Sequence, residues 1–215
     1  MVTFLLDEPK AGSGFPSSRV GSLTTYQAYC LANGLWISPT YNTQASASTI
    51  LDDIAMGTNS AWVWSSGLLT LVPYGDQSIT ANGYTYTAPS APVYSLGDDD
   101  FLSNSNGSSG SDPVQLVRKR PADAINSIKL ECLDRTNQYN PAVIEAKDQA
   151  LIETFGLRQS STKQTHMFCD LTAGMLSAQL QLQRQAIRNQ YTFALDQRYI
   201  GLDPMDYSGP QSLDH

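Results

Sequence analysis

The chain has 215 residues, of which 41% are hydrophobic and 15% are charged, and its formal net charge is −7. This length suits one large domain or two small ones, and the charged fraction is below the usual value of about 25% for a globular protein. Residues 1–112 contain nine acidic and two basic side chains, whereas residues 113–215 contain eleven of each; this balance argues against a nucleic-acid-binding surface.

The cysteines and the first residues narrow the class of protein further. Cys30, Cys132 and Cys169 are scattered, which fits neither a disulfide framework nor a metal site and indicates buried thiols in a reducing compartment. The N-terminal segment MVTFLLDEPK lacks a basic region, and its apolar run is too short for a signal peptide or a membrane span. We therefore predict a strand at VTFLL and no membrane span.

Residues 1–102 are predicted to form a small α+β domain that contains two helices. GSLTTYQAYCLANG predicts the first helix, with Ser22 as its N-cap and Gly34 as a left-handed stop. A short strand is predicted to follow at LWISP. SASTILDDIAMG predicts the second helix, which turns Ile54 inward and ends at Gly57.

Two hairpins and a linker complete this part of the chain. SAWVWSSGLLTLVPYGD predicts a hairpin around Ser66-Gly67, and SITANGYTYTAP predicts a second around Asn82-Gly83. The segment SNSNGSSGSD, residues 103–112, has the composition of a flexible linker. We therefore place a domain boundary at this segment.

Residues 113–206 are predicted to form a second domain, followed by a polar tail at residues 207–215. VQLVRK and INSIKLECL predict strands, and NPAVIEAKDQALIETFG predicts a short extended piece and a helix ending at Gly156. The longest helix is expected in DLTAGMLSAQLQLQRQAIRN, capped by Asp170, and a strand is expected in QYTFALDQRYIG. The whole chain is therefore predicted to be α+β, with antiparallel sheets and a few packed helices.

The longest predicted helix carries a wide apolar surface. Residues recurring at three- and four-residue steps define one stripe, formed by Leu171, Met175, Ala178, Leu182 and Ala186. Further apolar residues widen this stripe, namely Leu176, Leu180 and Ile187. We therefore expect the helix to be covered on more than one side.

Motifs for catalysis are scarce in this sequence. No nucleotide-binding, serine-hydrolase or zinc-protease motif is present, and we expect no enzyme activity, no cofactor and no metal ion. His166 lies three residues before Cys169, but the context favours a loop before a capped helix over a thiol–imidazole pair. The acidic run at residues 97–101 favours a solvated turn, because consecutive carboxylates do not converge on one ion.

Two other functions stay open from the residues alone. A glycosidase needs two carboxyl groups at a defined separation, and the sequence offers Glu131, Glu145 and Glu153 without giving their positions. A sugar-binding platform would use the three tryptophans, Trp36, Trp62 and Trp64. Trp62 and Trp64 share one strand face, however, and the core is the usual place for such a pair.

The second half of the chain resembles a known family. The similar segments are DPVQLVRKRPADAINSIKLECLDRTNQYNPAVIEAKDQALIETFGLR and AQLQLQRQAIRNQYTFALDQRYIGLDPMD. The matching positions are Arg118 to Pro121, Asp123, Asn126, Asp134-Arg135, Tyr139-Asn140-Pro141, Glu145, Asp148, Gly156-Leu157-Arg158, Leu182 to Arg184, Arg188-Asn189, Tyr191, Phe193, Leu195 and Leu202 to Asp206. In this order and spacing they resemble the hub or tip proteins of tailed bacteriophages, which are related to the siphophage tip-attachment protein and the gene-transfer-agent host-specificity protein. The resemblance covers roughly residues 23–206, and the first half resembles the small α+β insertion of such hubs.

The resemblance implies a structural role in the virion. Members form a trimeric, sheet-rich ring that closes the tail tube and carries the spike or receptor-binding parts, and no catalytic residue belongs to this segment. The implied partners are other tail-tip or hub subunits and tail tube proteins, with a homotrimer in the full-length context. The implied location is the virion tail tip, after synthesis in the cytoplasm of the bacterial host.

Eight residues are our candidates for the subunit interface. They are either basic or apolar and lie on the first strand of the second domain or on the long helix: Arg118, Lys119, Arg120, Leu176, Leu180, Arg184, Ile187 and Arg188. Charged side chains in such positions fix the register of two partners more than they add affinity. A solvated strand end is the alternative for the basic cluster.

The sequence departs from the family pattern in length. Family hubs are several times longer, and YSGPQSLDH is polar where the family continues into another strand. We therefore interpret the chain as a partial hub: a shortened chain, a prophage remnant or a hub split over several genes. A structural hub component is the favoured function, and a tail-associated cell-wall hydrolase or a glycan- or receptor-binding module is the alternative.

Overall fold

The computed structural model describes residues 14–40, 45–102, 112–120 and 123–210. The predicted strand at VTFLL lies outside these ranges, as do residues 103–111 of the predicted linker and residues 211–215 of the predicted tail. The described residues form four α-helices and eleven strands, so the predicted α+β class with antiparallel sheets is confirmed. No helix in these ranges is long and apolar enough to cross a membrane.

The first half contains two helices and two hairpins, as predicted. Its elements are α1 (Thr24–Asn33), α2 (Ala47–Gly57), β1 (Ser60–Ser65), β2 (Leu68–Pro73), β3 (Ile79–Ala81), β4 (Tyr84–Tyr86) and β5 (Tyr94–Leu96). Both residues of each hairpin turn have positive φ, between 51° and 78°. This conformation matches the right-handed twist of the flanking strands and explains why Ser66-Gly67 and Asn82-Gly83 form the turns.

The second half contains the remaining six strands and two helices. They are β6 (Gln115–Arg118), β7 (Ser127–Asp134), β8 (Asn140–Lys147), α3 (Gln149–Phe155), β9 (Lys163–Gln164), α4 (Leu171–Ala186), β10 (Asn189–Thr192) and β11 (Ser208–Pro210). α4 begins where predicted, because the Asp170 carboxylate accepts a hydrogen bond of 2.9 Å from the backbone N–H of Thr172.

The largest sheet has the strand order β8-β7-β9 and packs against α4. β7 pairs antiparallel with β8 over eight residues and parallel with β9 over two. Its inward residues Ile128, Leu130 and Cys132 are buried beneath α4. The close approach of α4 to β7 depends on Gly174, where a Cβ atom would lie 2.6 Å from the Cys132 Sγ.

The buried face of α4 differs from the predicted apolar stripe. Small or polar side chains form it, namely Ala173, Gly174, Ser177, Ala178 and Gln181. Of the predicted stripe only Ala178 is fully buried, while Leu171, Met175 and Leu182 flank the same cluster. The predicted stripe therefore lies on the core-facing side of the helix, but the closest helix–sheet contact selects the smallest side chains, and the large apolar residues mark the rims of that contact.

α4 is covered on a second side, as the sequence predicted. Leu176 and Leu180 pack against a cluster formed by α1 and β4, which includes Tyr29 and Tyr86. Ser177 ties the helix to α2, because its buried hydroxyl donates a hydrogen bond of 2.6 Å to the Gly57 carbonyl. These contacts join the two predicted domains across α4.

The end of the described chain returns to the first half. β11 pairs in parallel with β5, with Ser208 opposite Tyr94. Phe101 forms an isolated bridge with Leu195, and its ring meets the Phe193 ring edge to face at 5.0 Å. Residues 193–210 are therefore held by residues 93–102.

Three local predictions were wrong. LWISP forms no strand, because Leu35 and Ser38 donate their N–H groups to the carbonyls of Cys30 and Met167 and not to a neighbouring strand. The N-cap of α1 is Leu23, one residue after Ser22. The strand predicted in QYTFALDQRYIG ends at Thr192, before a short 3₁₀ turn at Gln197–Tyr199.

Candidate functional site

The second half carries a two-stranded ribbon, formed by β6 and β10, that is exposed on both faces. The strands are antiparallel, with Leu116 opposite Tyr191 and Val117 opposite Gln190. Every residue of both strands is exposed. An isolated two-stranded ribbon is at best marginally stable in water, so this exposed ribbon is a candidate interaction surface.

The two faces of the ribbon differ in chemistry. Side chains alternate along a strand, so Leu116, Arg118, Asn189 and Tyr191 share one face. This face combines two exposed apolar side chains, Leu116 and Tyr191, with the Arg118 cation and the Asn189 amide. Ile187, which precedes β10, is 73% exposed. Exposed apolar side chains grouped on one surface are typical of protein interaction sites.

The second face brings two cations together. Lys119 donates its backbone N–H to the Arg188 carbonyl at 3.0 Å, which continues the ladder beyond Arg118 and Asn189. Like charges directly opposite each other in a sheet destabilise the pair. In the described part of the chain, Lys119 and Arg188 form no ion pair that would offset this repulsion.

The structure brings five of the eight predicted interface residues together at this ribbon. Arg118, Lys119 and Arg120 follow one another at the end of β6, and Ile187 and Arg188 precede β10. The exposure of both strands could not be read from the sequence, since a surface ribbon and a buried strand show the same short apolar alternation.

The other three predicted interface residues lie apart from the ribbon. Leu176 and Leu180 are partly buried against the chain's own cluster around Tyr29. The Arg184 guanidinium lies over the Tyr74 ring, 3.8 Å from its centroid, which is a cation–π contact. A role of these three residues between subunits stays a prediction.

The groups considered for catalysis are engaged in other contacts. The His166 Nε2 lies 2.8 Å from a Glu131 carboxylate oxygen, and Cys169 directs its thiol to the Ser38 carbonyl at 3.7 Å, so His166 and Cys169 form no thiol–imidazole pair. A hydrogen bond from Ser127 lowers the pKa of Glu145, which suits an ionised acceptor and not a general acid.

The acidic run at Asp98–Asp100 and the cysteine thiols were the other candidates for metal binding or catalysis. Asp98–Asp100 form a 3₁₀ turn, and within the described residues no three His, Cys, Asp or Glu side chains converge on a possible ion. Burial raises the pKa of the Cys30 thiol to about 12 and also raises that of Cys132. High pKa values keep a thiol protonated and unreactive.

The three tryptophans do not form one platform. Trp62 packs in the cluster between α2 and β2 and donates its indole N–H to the Leu51 carbonyl at 2.9 Å. Trp64, at the end of β1, meets the Phe15 ring edge to face. Trp36 lies away from both, after α1, beside an open cavity.

Several residues that carry the sequence resemblance form one hydrogen-bond network that the sequence alone did not predict. Asn126 is buried; its side chain donates to the Gly156 carbonyl at 2.8 Å and accepts from the Arg158 N–H at 2.7 Å. Its own carbonyl accepts from the Asp148 N–H, and Asp148 caps α3. These residues position the loop after α3 against β7, so their role is structural.

A second network holds the returning end of the chain. The Asp100 carboxylate accepts hydrogen bonds from the Gly97 N–H at 2.8 Å and from Arg198 at 2.7 Å. The Gly97 N–H is the main cause of a lowered pKa for Asp100, and Tyr199 also donates to it. The same carboxylate raises the pKa of Tyr199.

Asp100→Asn is expected to lower stability at neutral pH and to have little effect in acid. The pKa of Asp100 is lower in the folded chain than in the unfolded chain. Its carboxylate therefore contributes stability above its ordinary pKa, and this contribution is lost as the pH falls through the lowered value. Denaturant midpoints of both proteins at neutral pH and near the acid limit of folding measure the effect.

The exposed neighbour Asp99 provides the control for this prediction. Asp99→Asn also removes one negative charge, but it leaves the hydrogen bond between Arg198 and Asp100 in place. Equal midpoint shifts for the two variants would show that net charge, and not the Asp100 network, is responsible.

The comparisons with known proteins identify the family. Residues 46–207 match a family model described as "Putative phage tail protein". No curated protein matches the chain. The fold is similar to a chain in the virion of a native gene transfer agent particle, with 11% identity, a TM-score of 0.52 and coverage of 69% of this chain.

A second solved structure is similar to a lesser degree. It is the prophage tail protein gp18 from Listeria monocytogenes EGD-e, with 13% identity, a TM-score of 0.36 and coverage of 74% of this chain. The chain spans 29% of the length of the gene-transfer-agent protein and 41% of that of gp18. The family match covers most of the 215 residues, and the chain therefore belongs to the phage tail protein family.

Proposed function

We propose that the chain is a non-enzymatic structural component of a tail-tip or baseplate hub of a phage or prophage. It assembles with other hub subunits and tail tube proteins at the end of the tail tube. It acts as a homotrimer in the assembled tail. It is made in the cytoplasm of the bacterial host and is located at the virion tail tip. Membership of the phage tail family supports this proposal.

One observation carries the proposal, the exposure of both faces of the β6–β10 ribbon. Leu116, Val117 and Tyr191 are each more than half exposed. Burying one such side chain fully contributes about 1.5–3 kcal/mol, so covering the ribbon supplies a substantial driving force for assembly. The nearby cations would be satisfied by carboxylates of the partner, which fixes the register of the two surfaces.

Ile187→Glu is expected to abolish incorporation of the protein into tails without unfolding it. Ile187 is 73% exposed, so a glutamate there costs the isolated chain little. In the assembly the same carboxylate would replace a buried apolar side chain, which is unfavourable because it has lost its hydration. A strain lacking the gene is complemented with the variant, and finished tails are counted by electron microscopy.

The matched control is Ile200→Glu, because Ile200 is 82% exposed and lies after the 3₁₀ turn at Gln197–Tyr199, outside both strands of the ribbon. We expect wild-type tail numbers from this control. Circular dichroism and thermal unfolding of both purified variants check that each remains folded. Normal tails with Ile187→Glu would refute the ribbon as the assembly surface, and averaged tail images that lack threefold symmetry at the tip would refute the homotrimer.

A further inference from the structure

An open cavity of about 490 Å³ lies between the end of α1, the β3–β4 turn and the first half of α4. Its volume falls within the range of roughly 300–1,000 Å³ that is typical of small-molecule sites. The residues that matter for its chemistry are Asn33, Trp36, Asn82, Asp170 and Gln179. None of them belongs to the β6–β10 ribbon, so this cavity is separate from the proposed assembly surface.

Trp36 presents its indole at this cavity and is 51% exposed. Its backbone is fixed, because Gly34 adopts φ 72° and the Trp36 N–H donates to the Gly34 carbonyl at 2.9 Å. The preceding Leu35 is buried in the cluster around Tyr29 and anchors the segment. The chain therefore holds an exposed aromatic ring on a rigid support, although such a ring is usually buried.

Two amides beside Trp36 are fixed as hydrogen-bond acceptors. The Asn33 NH₂ group donates to the Tyr29 carbonyl at 2.9 Å, and the Asn82 NH₂ group donates to the Leu31 carbonyl at 3.1 Å. Within the described residues, neither amide oxygen accepts a hydrogen bond. Because the donor side of each amide is engaged with α1, its oxygen remains free to accept a hydrogen bond from a ligand.

The charges at the cavity restrict the class of ligand. Asp170 is the one charged side chain among the described lining residues, so the site offers no cation to phosphate or to another anion. One Asp170 oxygen accepts the Thr172 N–H, which leaves the other as an additional acceptor. A flat ring next to several fixed acceptors suits a neutral, polyhydroxylated ring, whose C–H face stacks on the indole while its hydroxyls donate.

We propose that this cavity is a binding site for a neutral saccharide. The indole of Trp36 stacks on one sugar ring, and the oxygens of Asn33, Asn82 and Asp170 accept hydrogen bonds from its hydroxyl groups. The site is open on one side, so a ring within a longer surface polysaccharide also fits. The inference does not depend on the proposed assembly function, because it uses other residues.

The test starts from an array of neutral oligosaccharides from bacterial surfaces, probed with the full chain. Saturation-transfer NMR then measures binding of each retained saccharide, since it reports the sugar protons that contact the protein. We expect contacts on the C–H face of one ring, and we expect Trp36→Ala to weaken binding by about tenfold or more, the equivalent of about 1.4 kcal/mol. Asn82→Gly, which keeps the positive φ of the turn, is expected to weaken it as well.

Trp64→Ala is the matched control, because Trp64 is equally exposed at 53% but lies on the β1–β2 hairpin. Unchanged binding by this control, together with loss in Trp36→Ala, supports the site. Absence of binding to every saccharide on the array overturns it, and so does equal loss in both variants. Loss of tail assembly in Trp36→Ala without saccharide binding by the wild type would identify the cavity as a protein interface and would also overturn it.

Discussion

Gly174→Val is expected to lower the free energy of unfolding by about 3 kcal/mol. A Cβ atom at this position would lie 2.6 Å from the Cys132 Sγ and 2.8 Å from the Ile144 Cδ1. Both neighbours are buried in the cluster between α4 and the β7–β8 pair, so they have little room to move. Helix α4 would therefore have to lift from the sheet, and chemical denaturation measures the loss.

A double-mutant cycle separates this steric effect from helix propensity. Gly174→Ala alone should be destabilising, because crowding outweighs the gain of about 1 kcal/mol that alanine gives over glycine in a helix. In the background of Cys132→Ala the Sγ is absent, and the same change should become less costly or stabilising. Gln183→Ala, at an exposed position of α4, controls for general effects on the helix. If Gly174→Ala costs the same in both backgrounds, the contact with Cys132 does not limit the helix–sheet distance.

Asn126→Asp is expected to lower the free energy of unfolding at neutral pH by about 3 kcal/mol or more, because it places a charged group in a buried site. The new carboxylate could still accept from the Arg158 N–H, but its other oxygen would face the Gly156 carbonyl where an amide now donates. Burial and this repulsion raise the pKa of the new group in the fold. The loss relative to wild type should therefore shrink as the pH falls, since the protonated acid can donate to Gly156.

Asn126→Ala gives the comparison that makes this pH dependence diagnostic. It removes both side-chain hydrogen bonds, at a cost of about 1–3 kcal/mol, but it introduces no titrating group. Its loss relative to wild type should be the same at every pH at which both proteins fold. Parallel pH profiles for Asn126→Asp and Asn126→Ala would show that the amide does not act through the Gly156 carbonyl.

The elements that could be predicted from the sequence are those defined by local chemistry. Asn82-Gly83 predicts its hairpin because the turn needs two residues that tolerate positive φ. Asp170 predicts the start of α4 because a carboxylate satisfies the free N–H groups of a first turn. These signals need no knowledge of what packs around them.

The features that the sequence did not predict depend on distant contacts. Gly174 and Ser177 face the core because the sheet and α2 approach α4 closely there, whereas a hydropathy pattern counts large apolar residues. The segment LWISP has the composition of a strand, but the neighbours available to Leu35 and Ser38 are a helix end and a loop. Tertiary packing overrides propensity in both cases.

The candidate site was predictable in part. The basic cluster from Arg118 to Arg120 and the pair Ile187-Arg188 were identified by residue type, and the pairing of β6 with β10 places them together. The position of Trp36 beside two fixed amides was not predictable, because Asn82 reaches α1 from a hairpin about fifty residues later in the chain.

The parallel pairing of β5 with β11 has a consequence for how the chain reaches its native state during translation. Ser208 lies opposite Tyr94, so β5 cannot acquire this neighbour until more than one hundred further residues have left the ribosome. Pairing two strands so far apart in the chain is slow, because the loop between them must close before their contacts can form. We expect the nascent protein to leave this edge of β5 unpaired until synthesis has passed residue 210.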